Sequence, residues 1–254
     1  MFSFFKKKRT EEDIHQPLPV VTDIHSHILP GIDDGAPDVE SSLVLIQGMM
    51  NLGIRKFIAT PHVIGDLYRN TPQTINTALE ETKAACKKAG LAVEISAAAE
   101  YMIDDYFLEL LRNKSPLLTL HSNIILTEFS YSTPPGNVEA ITAGIIAQGY
   151  KPILAHPERY HFYHHNPDIY HHLKEMGFHL QVNLLSLTGY YGKSVRKAAL
   201  FIIQKNLASL VGTDLHHKYH LAAFNDPKNR AVLHELLGNR QFNNLEALAA
   251  GSPV

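Results

Sequence analysis

The sequence predicts an α/β protein, a seven-stranded parallel (β/α) barrel of the TIM-barrel-like kind. Three observations lead there. Short apolar runs rich in β-branched residues alternate with longer stretches of helical periodicity through most of the chain. Seven of the short runs lead into polar residues, at His25, His62, Glu100, Glu128, His156, Asn183 and Asp214, and each step between them suits one βα unit. The length of 254 residues is near that of one such barrel. A doubly wound open sheet is the alternative, but it would not bring all seven strand ends to one rim.

The elements follow in order. Val20, Val21, Thr22 and Ile24 are β-formers, so their segment reads as a strand on which His25 and His27 share a face. Pro30-Gly31 must end it, and the turn that follows can carry Asp33 and Asp34 back over the strand's end. Asp38 can cap a helix over 39–52 whose apolar positions keep helical spacing and which Gly53 stops. A strand over 54–60 leads into Pro61-His62, a helix over 74–89 stops at Gly90, and a strand over 91–99 delivers Glu100. A short helix over 104–113 precedes a strand over 123–127 that delivers Glu128, and a helix over 137–148 precedes a strand over 151–155 that delivers His156. Helix 167–176, strand 178–182 ending at Asn183, helix 194–205 and strand 207–211 complete the series, the last delivering Asp214 and His216. Parallel strands joined by right-handed crossovers are the expected result.

Composition narrows the function. Apolar residues form 45% of the chain and charged residues 19%, which is globular composition. No apolar run approaches a bilayer span. A formal net charge of -2, with no basic stripe interleaved with aromatics, argues against nucleic acid as a partner. Cys86 is the only cysteine, in a polar helical run with no phosphate-cradling loop after it, so neither an internal disulfide nor thiolate catalysis is expected. No stretch reads as a signal peptide, and cytoplasmic placement is the expectation. Residues 1–18, with the basic run Lys6 to Arg9, read as a flexible arm, or alternatively as a weak dock for an anionic membrane surface or acidic partner. Residues 19–254 read as a single domain.

Histidine is the abundant reactive residue, with 16 copies. In a barrel of parallel strands the carboxyl ends share one rim, which would gather His25, His27, His62, Glu100, Glu128, His156, Asp214 and His216, with Asp33 or Asp34 from the first loop. Any one of these alone would be read as a capping carboxylate or a hydrogen-bonded histidine. Together they would bury like-charged carboxylates side by side, which is costly unless cations compensate them. Mixed imidazole and carboxylate ligands suit manganese, iron or zinc, and so many ligands point to more than one ion.

These residues resemble the PHP (polymerase and histidinol phosphatase) superfamily, whose first motif is a DxHxH segment like Asp23 to His27. The ordered set HSHILPGIDDG, ATPH at 59–62, the glutamate at 100, TEF at 127–129, AHPERY at 155–160 and the closing D-x-H is similar to one branch, the bacterial metal-dependent tyrosine-protein phosphatases of capsule and exopolysaccharide loci (CpsB/CapC/YwqE type). The resemblance covers Asp23 to His216. It implies that the seven-stranded barrel is distorted and carries a three-metal cluster held by His25, His27, Asp34, His62, Glu100, Glu128, His156, Asp214 and His216, which makes Asp33 the lesser of its pair. Manganese or iron are the first expectation for the three divalent or trivalent ions, with zinc or magnesium as alternatives. Arg159 matches the phosphate-binding arginine of the family and takes the catalytic assignment, since a planar fork suits a phosphoryl group.

The expected reaction is attack of water on phosphorus, the cations lowering the pKa of that water and Arg159 holding nonbridging oxygens. A tyrosyl leaving group, with a pKa near 10, departs more readily than an alkoxide. The implied substrate is a phosphotyrosine protein, the C-terminal tail of a membrane-associated tyrosine autokinase that controls polysaccharide export, which would bring the enzyme to the inner face of the membrane. Two alternatives are a small-molecule phosphomonoesterase such as a histidinol phosphatase, and a metal-binding regulatory module without turnover. The family often carries an arginine soon after the final D-x-H; here His217, Lys218 and His220 stand there. Lys218 could replace the charge, though not the bidentate geometry, and is the candidate substrate-binding residue. Tyr131 and Pro134-Pro135 would shape access on a rim loop, Asn183 and Ser186 could support the ligands, and the histidines of 161–172 read as a solvated loop and helix face. Tyr190 and Tyr191 receive no role.

Overall fold

In the computed structural model, residues 16–238 and 240–251 are described. The basic run read within the arm lies outside the described residues. Of that arm Gln16, Pro17 and Leu18 are seen, and Leu18 is buried with its N–H donating to Leu52 O.

The chain alternates strand and helix as its periodicity predicts. Among the described residues nine strands form: β1 Thr22–Asp23, β2 Lys56–Ala59, β3 His62–Val63, β4 Glu94–Ala97, β5 Glu100–Met102, β6 Ile124–Glu128, β7 Lys151–Ala155, β8 His179–Asn183 and β9 Ala208–Gly212. The helices between them are α1 Val39–Asn51, α2 Pro72–Lys88, α3 Asp105–Arg112, α4 Val138–Ala147, α5 Ile169–Glu175, α6 Leu184–Thr188 and α7 Lys193–Gln204, followed by α8 Lys218–Asn225, α9 Pro227–Leu237 and α10 Leu245–Ala250. Asp38 caps α1 by accepting from Ser41 N–H, and Asp104 and Asn137 cap α3 and α4 in the same way. Thr71 closes a capping box with Thr74 at the start of α2.

Every strand pair is parallel. The strands lie in two sheets, ordered β1-β2-β4 and β3-β5-β6-β7-β8-β9. Two sheets therefore stand where the sequence predicts one ring of seven strands. Pro61, which has no N–H to give a ladder, separates β2 from β3, and Ala98-Ala99 separates β4 from β5. Bonds bridge the gaps: Ala98 N–H donates to Ala59 O and Glu100 N–H to Pro61 O. On the other side, Asp214 N–H donates to His25 O, His27 N–H to Leu215 O, and Ser26 pairs in parallel with Leu215.

One buried apolar cluster packs strands against helices, with Phe57, Leu154 and Val182 meeting Ile46, Met49, Leu173 and Ile202. A second is built from Ile24, Ile58, Ala98, Leu126, Ile153 and Leu210, one from each of six strand segments, with Leu245 and Leu248 of α10. Lys151, the first residue of β7, donates to Leu248 O and Ala249 O. Helix α10 thus sits where the strands begin, opposite the ends that carry the polar residues.

Candidate metal centre

The polar residues at the strand ends meet. His25 and His27 bring their Nε2 atoms to 3.4 Å; the strand expected to carry both ends at Asp23, and the two histidines instead flank Ser26, which pairs singly with Leu215. Glu100 lies between four imidazoles: its Oε2 is 3.2 Å from His25 Nε2, 3.3 Å from His27 Nε2 and 3.2 Å from His62 Nδ1, and its Oε1 is 3.0 Å from His156 Nε2. Glu128 Oε1 lies 3.0 Å from His62 Nδ1. Asp214 Oδ1 lies 3.3 to 3.5 Å from His25, His27 and His216. Asp34 Oδ1 is 3.5 Å from both His62 Nε2 and His216 Nε2, on a side chain 54% exposed at the mouth. All nine side chains assigned to metal by resemblance share this one site.

Two of the strand ends use backbone that few side-chain-bearing residues adopt. His156 and Asp214 have φ of 35° and 51°, which costs about 1–3 kcal/mol each and persists only where the surroundings impose it. The strand-end turns there carry both side chains back over the site. Close approach also matters at Gly212, where a Cβ would lie 2.6 Å from His25 Cβ and 2.9 Å from Gln181 Nε2.

The donor set fits cations. Glu100 Oε2, Glu128 Oε1 and His62 Nδ1 are buried and have no hydrogen-bond partner, although the imidazole nitrogen lies 3.2 Å from the first oxygen and 3.0 Å from the second. The three residues form one group able to hold a cation, and buried polar atoms rarely go without a partner unless a third body satisfies them. The ligand atoms fall into three overlapping groups: His27, Asp34, His62 and His216; His25, His27 and Glu100; His62, Glu100 and Glu128. The electrostatics agree. Burial disfavours the charged form of His25, yet Glu100 and Asp214 more than offset it and raise its pKa to about 9. Burial likewise opposes ionisation of Glu100, and His25 and His62 overcome it, holding the carboxyl well below its ordinary range. The pocket demands positive charge.

Second contacts orient the imidazoles. Gln181 Oε1 lies 2.7 Å from His25 Nδ1; an amide oxygen only accepts, so Nδ1 donates to it and Nε2 is the ring atom left facing the cluster. Asp33 Oδ2 does the same for His27 Nδ1 at 2.8 Å and also accepts from His62 N–H, while Asp33 Oδ1 accepts from Gly35 N–H. The carbonyl of Asp214 accepts from His216 Nδ1 at 2.9 Å.

A sequence profile of the family described as "Capsular polysaccharide synthesis, CpsB/CapC" matches residues 21–240. The chain belongs to this family. It is 32% identical over 195 residues to the tyrosine-protein phosphatase YwqE of Bacillus subtilis, an alignment covering 77% of each chain. It is 27% identical to the tyrosine-protein phosphatase CpsB of Streptococcus pneumoniae, covering 77% of this chain and 82% of the relative. The fold superposes with a TM-score of 0.78 and 29% identity, over 92% of this chain and 96% of the other, on a crystal structure from work describing YwqE and CpsB as unique metal-dependent tyrosine phosphatases. An amidohydrolase of Mycoplasma synoviae, 14% identical with a TM-score of 0.52, shares the fold.

In this CpsB/CapC chain the two residues assigned to substrate stand differently. Arg159, in the single helical turn Pro157–Arg159 after β7, donates from a terminal nitrogen to Asp214 Oδ2 at 2.5 Å, with its side chain 21% exposed. It lies at the cluster's edge. Lys218 is exposed at the start of α8, its ammonium 5.6 Å from the ring centre of Tyr219. It lines a cleft of about 560 Å³ that His216, Val44 and Tyr219 also line. Asn183 supports the site by donating from Nδ2 to Asp214 Oδ2 at 3.0 Å, and Ser186 is buried in α6. Of the 161–172 histidines, His161, His165, His171 and His172 are exposed, and His164 Nε2 donates to Glu158 O.

Sequence reasoning missed three supports. Gln181 gave a signal, a polar residue between the apolar Leu180 and Val182 in the middle of its strand. Asp33 ranks below Asp34 by motif alone, which can prefer only one of two adjacent acids. Asp23, the first residue of DxHxH, ties β1 to the end of β9 by accepting from Thr213 N–H and Thr213 Oγ1–H.

Proposed function

We propose that this chain is a metal-dependent phosphoric monoester hydrolase that removes phosphate from phosphotyrosine in a protein. One observation carries the reading: buried carboxylates and imidazoles converge on common space with several of their polar atoms unpartnered, beside a guanidinium at the rim, in a family whose relatives bear the name tyrosine-protein phosphatase. The three overlapping ligand groups support three ions, with His25, His27, Asp34, His62, Glu100, Glu128, His156, Asp214 and His216 as their holders and manganese or iron ahead of zinc or magnesium. The bonds that join β1 to the end of β9 support closure of the strands into a distorted barrel.

When bound, such cations supply Lewis acidity at phosphoryl oxygens and lower the pKa of a coordinated water. The chain's own groups do the rest. Gln181, Asp33 and the Asp214 carbonyl fix three imidazole tautomers before substrate arrives, so no reorientation is needed during reaction. Arg159 presents the planar N–H fork that matches nonbridging phosphoryl oxygens. Because a tyrosyl oxygen leaves readily, the leaving group needs little help from a general acid.

The partner that fits is the tyrosine-phosphorylated tail of a membrane-associated autokinase in capsule or exopolysaccharide export, met at the inner face of the membrane. No helix among the described residues is long and apolar enough to cross a membrane. The test is turnover of a phosphotyrosine peptide and of histidinol phosphate by the manganese-loaded full chain, with and without chelator. Chelator-sensitive preference for the peptide is expected. Preference for histidinol phosphate would transfer the assignment to a small-molecule phosphatase, and turnover of neither would leave a binding module.

A further inference from the structure

The CpsB/CapC chain contains a device that neither its motifs nor its ligand set explains. The guanidinium of Arg159 lies between two aromatic faces, with Cζ 4.9 Å from the ring centre of Tyr131 and 4.4 Å from that of Tyr191. Tyr131 follows β6, Arg159 ends the helical turn after β7, and Tyr191 lies between α6 and α7 in the connection that leaves β8; the three strands are successive neighbours in the sheet. Each ring is itself held. Tyr131 stacks on His156 at 5.7 Å and 22° and touches Tyr160 at 5.8 Å. The Tyr191 hydroxyl lies 3.5 Å from Asn183 Nδ2, which donates to it, and 3.4 Å from His220 Nε2. Tyr131 keeps 42% of its surface exposed, which places the clamp at the mouth.

We propose that Tyr131 and Tyr191 are positioning residues that clamp Arg159 and thereby set its grip on the phosphoryl group of the substrate. The proposal rests on the phosphatase reading given above. The bond from Arg159 to Asp214 is a single pivot, about which a long side chain would sweep its fork through many orientations. Ordering such a side chain at the moment of binding costs affinity. Ring faces suppress that motion while consuming none of the N–H donors, because they attract the cation through the π-system. Donors that a second carboxylate would have occupied therefore stay available for phosphate oxygens. The need is acute in this chain: no arginine follows Asp214 until Arg230, and the ammonium of Lys218 is drawn over Tyr219.

The experiment titrates inorganic phosphate calorimetrically into the manganese-loaded full chain, alongside rates on a phosphotyrosine peptide and metal content. Tyr131→Leu and Tyr191→Leu are each expected to weaken phosphate binding by about tenfold and to raise KM for the peptide, with bound metal unchanged. Tyr131→Phe, which keeps the ring, should restore affinity; Tyr191→Phe should restore only part, since it loses its anchors on Asn183 and His220. In an Arg159→Ala background the leucine substitutions should cause no further loss. A full tenfold loss in that background, unchanged phosphate affinity in the presence of Arg159, or a parallel fall in bound metal would each overturn the clamp. Failure of the unaltered chain to hydrolyse phosphotyrosine would sink the phosphatase reading alone, because phosphate affinity is measured without turnover.

Discussion

Asp33 and Asp34 are neighbours with opposite expected roles, and exchanging each for asparagine separates an orienting carboxylate from a ligand. Asp33 accepts from His27 Nδ1 at 2.8 Å, from His62 N–H at 3.1 Å and from Gly35 N–H at 2.9 Å. An amide offers one acceptor oxygen and one NH2 group, so whichever way the new side chain turns it faces at least one donor with a donor. Loss of one such bond to a charged acceptor is worth about 1.5–3 kcal/mol, and loss of the tautomer lock on a ligand histidine about 10–100-fold in metal affinity. Asp33→Asn should therefore unfold earlier in urea, by about 2 kcal/mol, in chelator-treated protein, and should bind the same number of ions more weakly. Asp34 is 54% exposed and faces His62 and His216 at 3.5 Å. Its substitution by asparagine should leave urea stability within about 0.5 kcal/mol but remove metal from the mouth of the cluster. Urea titration paired with elemental analysis decides the matter. If Asp33→Asn loses an ion outright while Asp34→Asn keeps full metal content, the assignment of roles is reversed and the argument from hydrogen-bond geometry fails.

Other outcomes follow from the same site. Arg159→Ala should lower turnover of a phosphotyrosine peptide by about 100-fold or more, the size of effect seen when one preorganised donor to a developing oxyanion is lost, with metal content near normal; undiminished turnover would remove Arg159 from the reaction. Lys218→Ala should change KM by less than about fivefold, because an exposed charge contact contributes roughly 0.2–1 kcal/mol, and a larger rise measured in initial-rate assays would restore it as a principal substrate contact. Gly212→Ala should destabilise the protein by about 1–3 kcal/mol in thermal or urea unfolding and weaken metal binding, since the added methyl group meets His25 Cβ at 2.6 Å and Gln181 beside it; wild-type metal affinity would show that the strand can shift without moving the histidine.

Much of the architecture was legible because it is written locally. One helix start was readable from Asp38, whose side chain does accept from a first-turn amide, two more fell at Asp104 and Asn137, which the structure shows to be caps, and strand ends were readable from the polar residue that interrupts each apolar run. The helices after His216 lie outside the sequence reading, although α9 carries a legible start in its cap Asp226 and the proline that follows it. The break of the expected single ring into two sheets could have been suspected at Pro61, but not at Ala98-Ala99, where no residue forbids pairing.

By itself the sequence determined the order of βα units, the residue type at each strand end and, through the ordered motifs, the family. Tertiary structure decided which side chains touch: Asp214 meets Arg159 and Asn183, Gln181 meets His25, and Tyr191, without a role on sequence grounds, meets the guanidinium. The reason is one of range. Periodicity and capping are set by neighbours within a few residues, whereas these contacts span 31 to 156 residues of chain and exist only once packing has fixed how far each strand end projects and which way its loop turns.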